Sequence, residues 1–252
     1  MTTPPPFELA VTESGTGRPV LLLHGGGGPL TVAPPATHLA ETAHVIAPTH
    51  PGFNGTERPA AIDSMRALAD EYARYLEARD LTDVLVVGSS IGGWLAAELA
   101  LGSASDRISG LVLINAVGID VAGNPIRNIS DLPPQQLAQY SFHDPSRLKL
   151  PAPTPEGIAI AQANAATLSA LAGDPYMHDP TLLGRLGAMH TPTLVIWGAS
   201  DRVVNADYGR AFAAAIPDAR FELIPDAGHL PHLENPAAVF AALDPFAESR
   251  VK

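Results

Sequence analysis

Val84-Leu85-Val86-Val87-Gly88-Ser89-Ser90-Ile91-Gly92-Gly93-Trp94-Leu95-Ala96-Ala97-Glu98-Leu99-Ala100 is an apolar run, a tight Gly/Ser turn and a helix-like stretch in immediate succession. In that context Gly88-Ser89-Ser90-Ile91-Gly92 reads as G-x-S-x-G, a nucleophile elbow that pushes a serine hydroxyl out over the end of a sheet. The register makes Ser90 the nucleophile and Ser89 its neighbour. The two glycines flank a residue held in a strained conformation, where a side chain at either position would collide with the adjoining strand or helix. A plain Gly/Ser turn between an ordinary strand and helix would give the same five residues, so the flanks and distant partners decide.

Working outward, short apolar runs alternate with longer helical patterns, which predicts parallel strands with helical crossovers. The strand candidates are Phe7 to Thr12, Val20 to Leu23, His44 to Ala47, Val84 to Val87, Leu111 to Ile114, Thr193 to Ile196 and Phe221 to Ile224. The middle ones are continuously apolar, as strands buried on both faces are. Helices are expected over Ser64 to Ala78, Gly92 to Leu101, Asp207 to Ile216 and Pro236 to Ala247, with Asp63-Ser64 and Asn235-Pro236 supplying start signals. The rhythm breaks between about Gly118 and His190, where prolines cluster before a helix-like stretch from Glu156 to Leu171. The expected organisation is a core α/β domain in two parts, 1–117 and 191–252, interrupted by a small helical lid over 118–190. Within the lid, Asp144 to Pro155 reads equally as a linker.

Composition bounds the chemistry. The 252 residues suit one α/β domain carrying an insertion, and no cysteine is present, which removes disulfides, thiolate zinc sites and cysteine nucleophiles. A formal charge of −11 argues against nucleic acid and anionic lipid as partners. No run approaches the ~18 apolar residues of a membrane span, and Met1-Thr2-Thr3-Pro4-Pro5-Pro6 has no signal-peptide character. The expectation is a soluble cytoplasmic protein acting on a small molecule, with oligomeric state open.

A serine hydroxyl needs a base, an orienting carboxylate and donors for a developing oxyanion. His229, in Pro225-Asp226-Ala227-Gly228-His229, follows the last strand candidate, and Asp201, in Trp197-Gly198-Ala199-Ser200-Asp201, follows the one before it. Parallel strands share one carboxyl rim, so Ser90, Asp201 and His229 converge there in the chain order Ser, Asp, His. Taken singly, His229 could be a loop histidine bonded to backbone and Asp201 a helix cap ahead of Val203. The run His24-Gly25-Gly26-Gly27-Gly28 after the strand Val20 to Leu23 lets backbone N–H groups approach a ligand oxygen. One donor is assigned to Gly26, within about one residue, and the second to Ile91. A phosphate-cradling loop fails for want of a G-K-[ST] ending or an acidic ribose partner.

These stretches, with His50-Pro51-Gly52-Phe53, Pro192 to Asp201 and Gly228-His229-Leu230-Pro231-His232-Leu233-Glu234-Asn235-Pro236, give the chain a resemblance to the α/β-hydrolase fold superfamily. The branch it resembles holds small carboxylesterases and meta-cleavage-product (carbon–carbon bond) hydrolases. The resemblance implies a mostly parallel twisted sheet with helices on both faces. It also implies Ser90, Asp201 and His229 as a catalytic triad, main-chain Gly26 and Ile91 as oxyanion hole, and no cofactor or metal. Carbon–carbon hydrolases usually place a tryptophan shortly after the catalytic histidine; Leu230, Pro231, His232 and Leu233 stand here and favour an ester or related acyl substrate. The alternatives are a carbon–carbon bond hydrolase, or a non-hydrolytic lyase or receptor on the same scaffold. Some relatives take their acid after an earlier strand, where this chain has Asn115; Asp226 is read as a turn residue. His50 and His232 are assigned supporting hydrogen bonds. His143, His178 and His190 are read as surface or packing residues, and Arg127, Arg147 and Arg185 as solvated surface arginines ahead of a role as anchors for an acidic substrate.

Overall fold

The computed structural model describes residues 8–130, 132–147 and 154–249. Its frame is a seven-stranded sheet of β1 (Val11–Ser14), β2 (Pro19–Leu23), β3 (His44–Pro48), β4 (Val84–Ser89), β5 (Ile108–Ile114), β6 (Thr193–Gly198) and β7 (Arg220–Ile224). The strands lie in the order β1-β3-β2-β4-β5-β6-β7, and only β1 runs antiparallel to its neighbour. The fold is the expected α/β architecture.

Alternation along the strands sorts the core into two layers, because successive side chains leave opposite faces of a strand. Leu21, Leu23, Val84, Val86, Leu111, Leu113, Val195 and Trp197 pack on one face. That layer includes α2 (Met65–Ala78), α3 (Ile91–Leu101) and α7 (Ala206–Ala214). Val20, Leu22, Leu85, Val87, Val112, Ile114, Leu194 and Ile196 pack on the other against α1 (Ala33–Leu39) and α9 (Pro236–Glu248). Burial on both faces is why the central strands read as unbroken apolar runs. Two helix starts use the expected caps: Ser64 Oγ accepts from the Ala67 N–H and Asn235 Oδ1 from the Ala238 N–H.

Three readings need correction. The first strand occupies Val11–Ser14, displaced from Phe7 to Thr12, since it is a partly exposed edge whose polar residues pair with β3; Phe7 lies outside the described residues. Helix α1 has no counterpart among the helices expected from the sequence, and it carries Pro34 and Pro35. They sit in the first turn, where no intrahelical N–H donor is needed. β5 starts at Ile108, three residues before the expected Leu111.

Between β5 and β6 the described residues add no strand to the sheet. They form α4 (Pro134–Ser141), α5 (Pro155–Ala172) and α6 (Leu182–Arg185). Of the stretch read as a linker, Pro145–Arg147 makes a single 3-10 turn and residues 148–153 lie outside the described residues. A last short helix, α8 (Pro231–Glu234), follows β7. Among the described residues no helix is long and apolar enough to cross a membrane.

Candidate active site

Register brings the strand ends level. Leu23 pairs with Gly88, Ser89 with Ile114, and Ile114 with Ile196, so the residues following β2, β4, β5 and β6 emerge along one rim. Ser90 takes φ 56° and ψ −115°, a backbone region costly for a residue with a side chain. It is held there from both sides: its N–H donates to the Ile114 carbonyl, and its carbonyl accepts from the Gly93, Trp94 and Val117 N–H groups. A Cβ on Gly88 would overlap the Gly92 carbonyl, and one on Gly92 would overlap that of Leu23. The turn therefore closes only with glycine at both positions.

Ser90 Oγ lies 3.0 Å from His229 Nε2, and His229 Nδ1 lies 2.7 Å from Asp201 Oδ2. A carboxylate only accepts, so Nδ1 carries the proton and Nε2 is left to accept from the Ser90 hydroxyl. Asp201 is buried, yet its carboxylate receives three further donors. The Val203 and Val204 N–H groups reach Oδ1 at 2.8 and 3.0 Å, and Asn115 Nδ2 reaches Oδ2 at 2.6 Å. The backbone-capping role and the pairing with His229 thus coexist: capping the turn through Oδ1 is what aims Oδ2 at the imidazole. His229 is placed by its own N–H, which donates to the Ser141 carbonyl at 2.7 Å. The Gly228 N–H before it donates to Glu234 Oε2 at 2.6 Å.

Asn115 is the main residue that sequence reasoning did not assign. Besides donating to Asp201, its Oδ1 accepts from the Gly198 N–H at 3.1 Å, so one amide ties β5 to β6 and to the acid. The available signal was its place directly after a buried strand.

The glycine run lies over Ser90. The Gly28 N–H turns back to the Gly25 carbonyl, and a Cβ on Gly25 would stand 3.2 Å from that of Ser90. Two fully buried histidines fix the run from beneath. His24 Nδ1 donates to the Gly25 carbonyl at 2.7 Å, and its Nε2 accepts from the His50 N–H at 2.9 Å. His50 Nε2 donates to the His24 carbonyl at 2.9 Å, and its Nδ1 accepts from the Tyr72 hydroxyl at 2.7 Å. Every ring nitrogen has one matching partner only if both rings are neutral. Burial enforces this, lowering the His24 pKa to about 4 and that of His50 well below its ordinary value. His232, beside the run, donates from Nε2 to the Thr31 carbonyl at 2.9 Å; burial lowers its pKa to about 4 as well, and its Nδ1 has no hydrogen-bond partner.

Above Ser90 a cavity of about 620 Å³ takes in Gly26, Ile91, Leu168, Val203 and His229. Its size falls within the range of small-molecule sites. Its remaining lining is apolar or neutral polar, Asn128, Ser130, Asn164 and Tyr176 among the latter. The arginines considered as anchors are engaged elsewhere. Arg185 pairs with the buried Glu98 at 2.7 Å and with Asp179 at 3.1 Å. Arg127 donates to the Arg202 carbonyl and lies 4.3 Å from the centroid of the Tyr140 ring. The Arg147 side chain lies outside the described residues. Of the other histidines, His143 Nδ1 pairs with Ser200 Oγ and His178 Nδ1 donates to the Tyr176 carbonyl. Asp226 sits in its turn at φ 52°, side chain exposed. Among the described residues no group of three or more His, Asp or Glu side chains could hold a metal ion.

Comparison with known proteins agrees with this architecture. The profile of the Alpha/beta hydrolase family matches residues 20–243. A Mycobacterium tuberculosis protein that carries the provisional name non-heme bromoperoxidase is 30% identical over 260 residues, covering 96% of this chain and 98% of the relative. A 2-hydroxymuconate semialdehyde hydrolase of Pseudomonas putida is 27% identical, covering 94% of this chain and 89% of the relative. Among solved structures, a thermophilic esterase from Thermogutta terrifontis superposes with a TM-score of 0.73 at 26% identity, over 97% of this chain and 94% of that one. The chain therefore belongs to the alpha/beta hydrolase family, and it is a hydrolytic enzyme.

Proposed function

We propose that the protein is a serine hydrolase that cleaves a small, neutral ester through an acyl-enzyme. The observation that carries this reading is the continuous chain Ser90 Oγ, His229 Nε2, His229 Nδ1, Asp201 Oδ2, with links of 3.0 and 2.7 Å, opening on an uncharged cavity. His229 takes the proton as Ser90 attacks the carbonyl carbon and hands it to the departing alcohol; water then repeats the sequence in reverse. Asp201, locked by Asn115, Val203 and Val204, holds the tautomer and stabilises the imidazolium. The oxyanion is met by the N–H groups of Gly26 and Ile91. Ile91 is the first residue of α3, where N–H groups lack intrahelical partners and the helix dipole favours negative charge. Residues 118–190 act as the lid that shapes the cavity.

A neutral substrate is preferred over a dienoate of the carbon–carbon-cleavage type because, among the described residues, no lysine or arginine lines the cavity to meet a carboxylate. The test is turnover of p-nitrophenyl acetate and butyrate, with labelling by a fluorophosphonate. Ser90→Ala should lose both the label and at least about 10⁴-fold in rate, as expected when one member of such a unit is removed. Wild-type labelling at another residue, or undiminished turnover in the variant, would overturn the assignment. Product analysis in isotopically labelled water separates a hydrolase, which incorporates the label, from a lyase.

A further inference from the structure

A second, smaller cavity of about 180 Å³ lies beside the one that opens on Ser90. It is lined by Ile119, Val121, Pro125 and Tyr208 and by the polar Asn124, His178 and exposed Asp120. Ile126 and Tyr176 line both cavities and so stand where the two meet. Tyr176 is fixed in place, its hydroxyl accepting from the Ile129 N–H at 3.2 Å and its carbonyl from His178 Nδ1 at 3.0 Å. Ile126 is half-buried and offers only aliphatic surface.

We propose that Ile126 and Tyr176 set the chain length the site accepts, by stopping the apolar arm of the substrate short of the side chamber. The inference rests on the ester-hydrolase reading for its substrate class. The chamber beyond the partition has room on the order of several methylene groups. Ile119, Val121, Pro125 and the Tyr208 ring offer apolar surface to an unbranched alkyl chain, and the Asp120 carboxylate in the same lining disfavours a second carboxylate. Closed, the partition leaves a longer chain in water or bent back on itself. Opened, it allows each further methylene to be buried, a gain of about fourfold in affinity per group.

The test is a p-nitrophenyl ester series from acetate to dodecanoate with wild type, Tyr176→Ala, Ile126→Ala and Tyr176→Phe. In wild type kcat/KM should rise with chain length and then fall at a cut-off. Tyr176→Ala and Ile126→Ala should move the cut-off to longer chains. Tyr176→Phe keeps the ring that forms the wall and should keep the wild-type cut-off. A cut-off that stays put in both alanine variants, or a uniform change at every length, overturns the proposal. Thermal-shift titration with 1-alkanols from butanol to dodecanol reads the same cut-off without catalysis. Failure of all esters with a shifted alkanol cut-off would sink the ester reading and leave the length stop standing; an unshifted alkanol cut-off would sink the length stop itself.

Discussion

The carboxyl rim of the sheet and the helical segment above it are built by opposite means. At the rim the positioning side chains are densely bonded, His232 apart: Asp201 receives four donors, and His24 and His50 use every ring nitrogen. Above it, α5 exposes most of its length, carries Glu156 as its one charged residue and reaches the body through few polar links. Asn164 pairs with Asn54, and Thr167 with Gly52. A hydrogen-bonded frame fixes atoms to within tenths of an ångström, as proton transfer requires. An apolar cover needs only shape, and shape is what a substrate pocket varies.

If neutral buried histidines hold the rim, acid should attack the rim first. Folded His24 and His232 have pKa values near 4, and in the unfolded chain a histidine titrates near ~6.5. Between those values the unfolded state binds more protons, so stability is complete above about pH 6.5 and is lost as pH falls toward 4. At pH 5 each of the two should cost about 2 kcal/mol relative to pH 7.5, with a further loss from His50. Urea denaturation at the two pH values measures the sum, and in His232→Asn the slope should be shallower. Equal midpoints at pH 5 and 7.5 would break the contrast, leaving the rim no more acid-sensitive than the cover.

The next largest effect lies where the two regions meet. Glu98 of α3 is buried beneath Trp94, and its carboxylate accepts from Arg185 of α6 at 2.7 and 2.8 Å and from Trp94 Nε1 at 3.3 Å. Its presence raises the Arg185 pKa above the ordinary guanidinium value. Glu98→Ala strands a partly buried cation, which should cost about 3 kcal/mol, the low end for such a pair because Arg185 keeps Asp179 and some solvent. Chemical denaturation should show this loss while the Ser90-dependent rate at saturating substrate stays within about twofold. A loss under about 1 kcal/mol would mean that the elbow helix and the segment above it are not coupled through this pair.

The same contrast decides what the sequence could convey. Ser90, Asp201 and His229 were legible because each follows a strand, β4 and β6 buried and β7 an edge strand with only Ile224 buried, and parallel strands end on one rim whatever their order. Asn115 also follows such a strand, but its pairing with Asp201 depends on the register of β5 with β6, Ile114 opposite Ile196. Register across 86 positions of chain leaves no local mark. His24 and His50 were visible as loop residues, whereas their mutual pairing requires the ends of β2 and β3 to be level. Over the cavity the limits are stricter. Arg185 reads as a solvated surface arginine ahead of a substrate anchor, and it is neither, because nothing around it in sequence names the buried Glu98, 87 positions away, as its partner. Apolar helices such as α5 fit many placements, so Tyr176 and Leu168 become wall residues only when the cover is seen in place.

The smallest effect separates a shape-setting cover from a merely attached one. Thr167 Oγ1 donates to the Gly52 carbonyl at 2.9 Å, fastening α5 to the loop that follows β3. Its neighbour Leu168 rests on the glycine run, its Cδ2 2.9 Å from where a Cβ on Gly26 would stand. Thr167→Val keeps the volume and removes one neutral hydrogen bond at a half-buried position, a loss of about 1 kcal/mol. If α5 shapes the pocket, that loss should surface as a KM for p-nitrophenyl butyrate raised about fivefold at nearly constant kcat. Binding shared by ground and transition states is lost in that way. Fluorophosphonate labelling of Ser90 should slow in proportion. A variant less stable by the same 1 kcal/mol but unchanged in KM would place Thr167 among the fastenings of the fold, and the shape of the pocket would then rest on Leu168 and its apolar contacts alone.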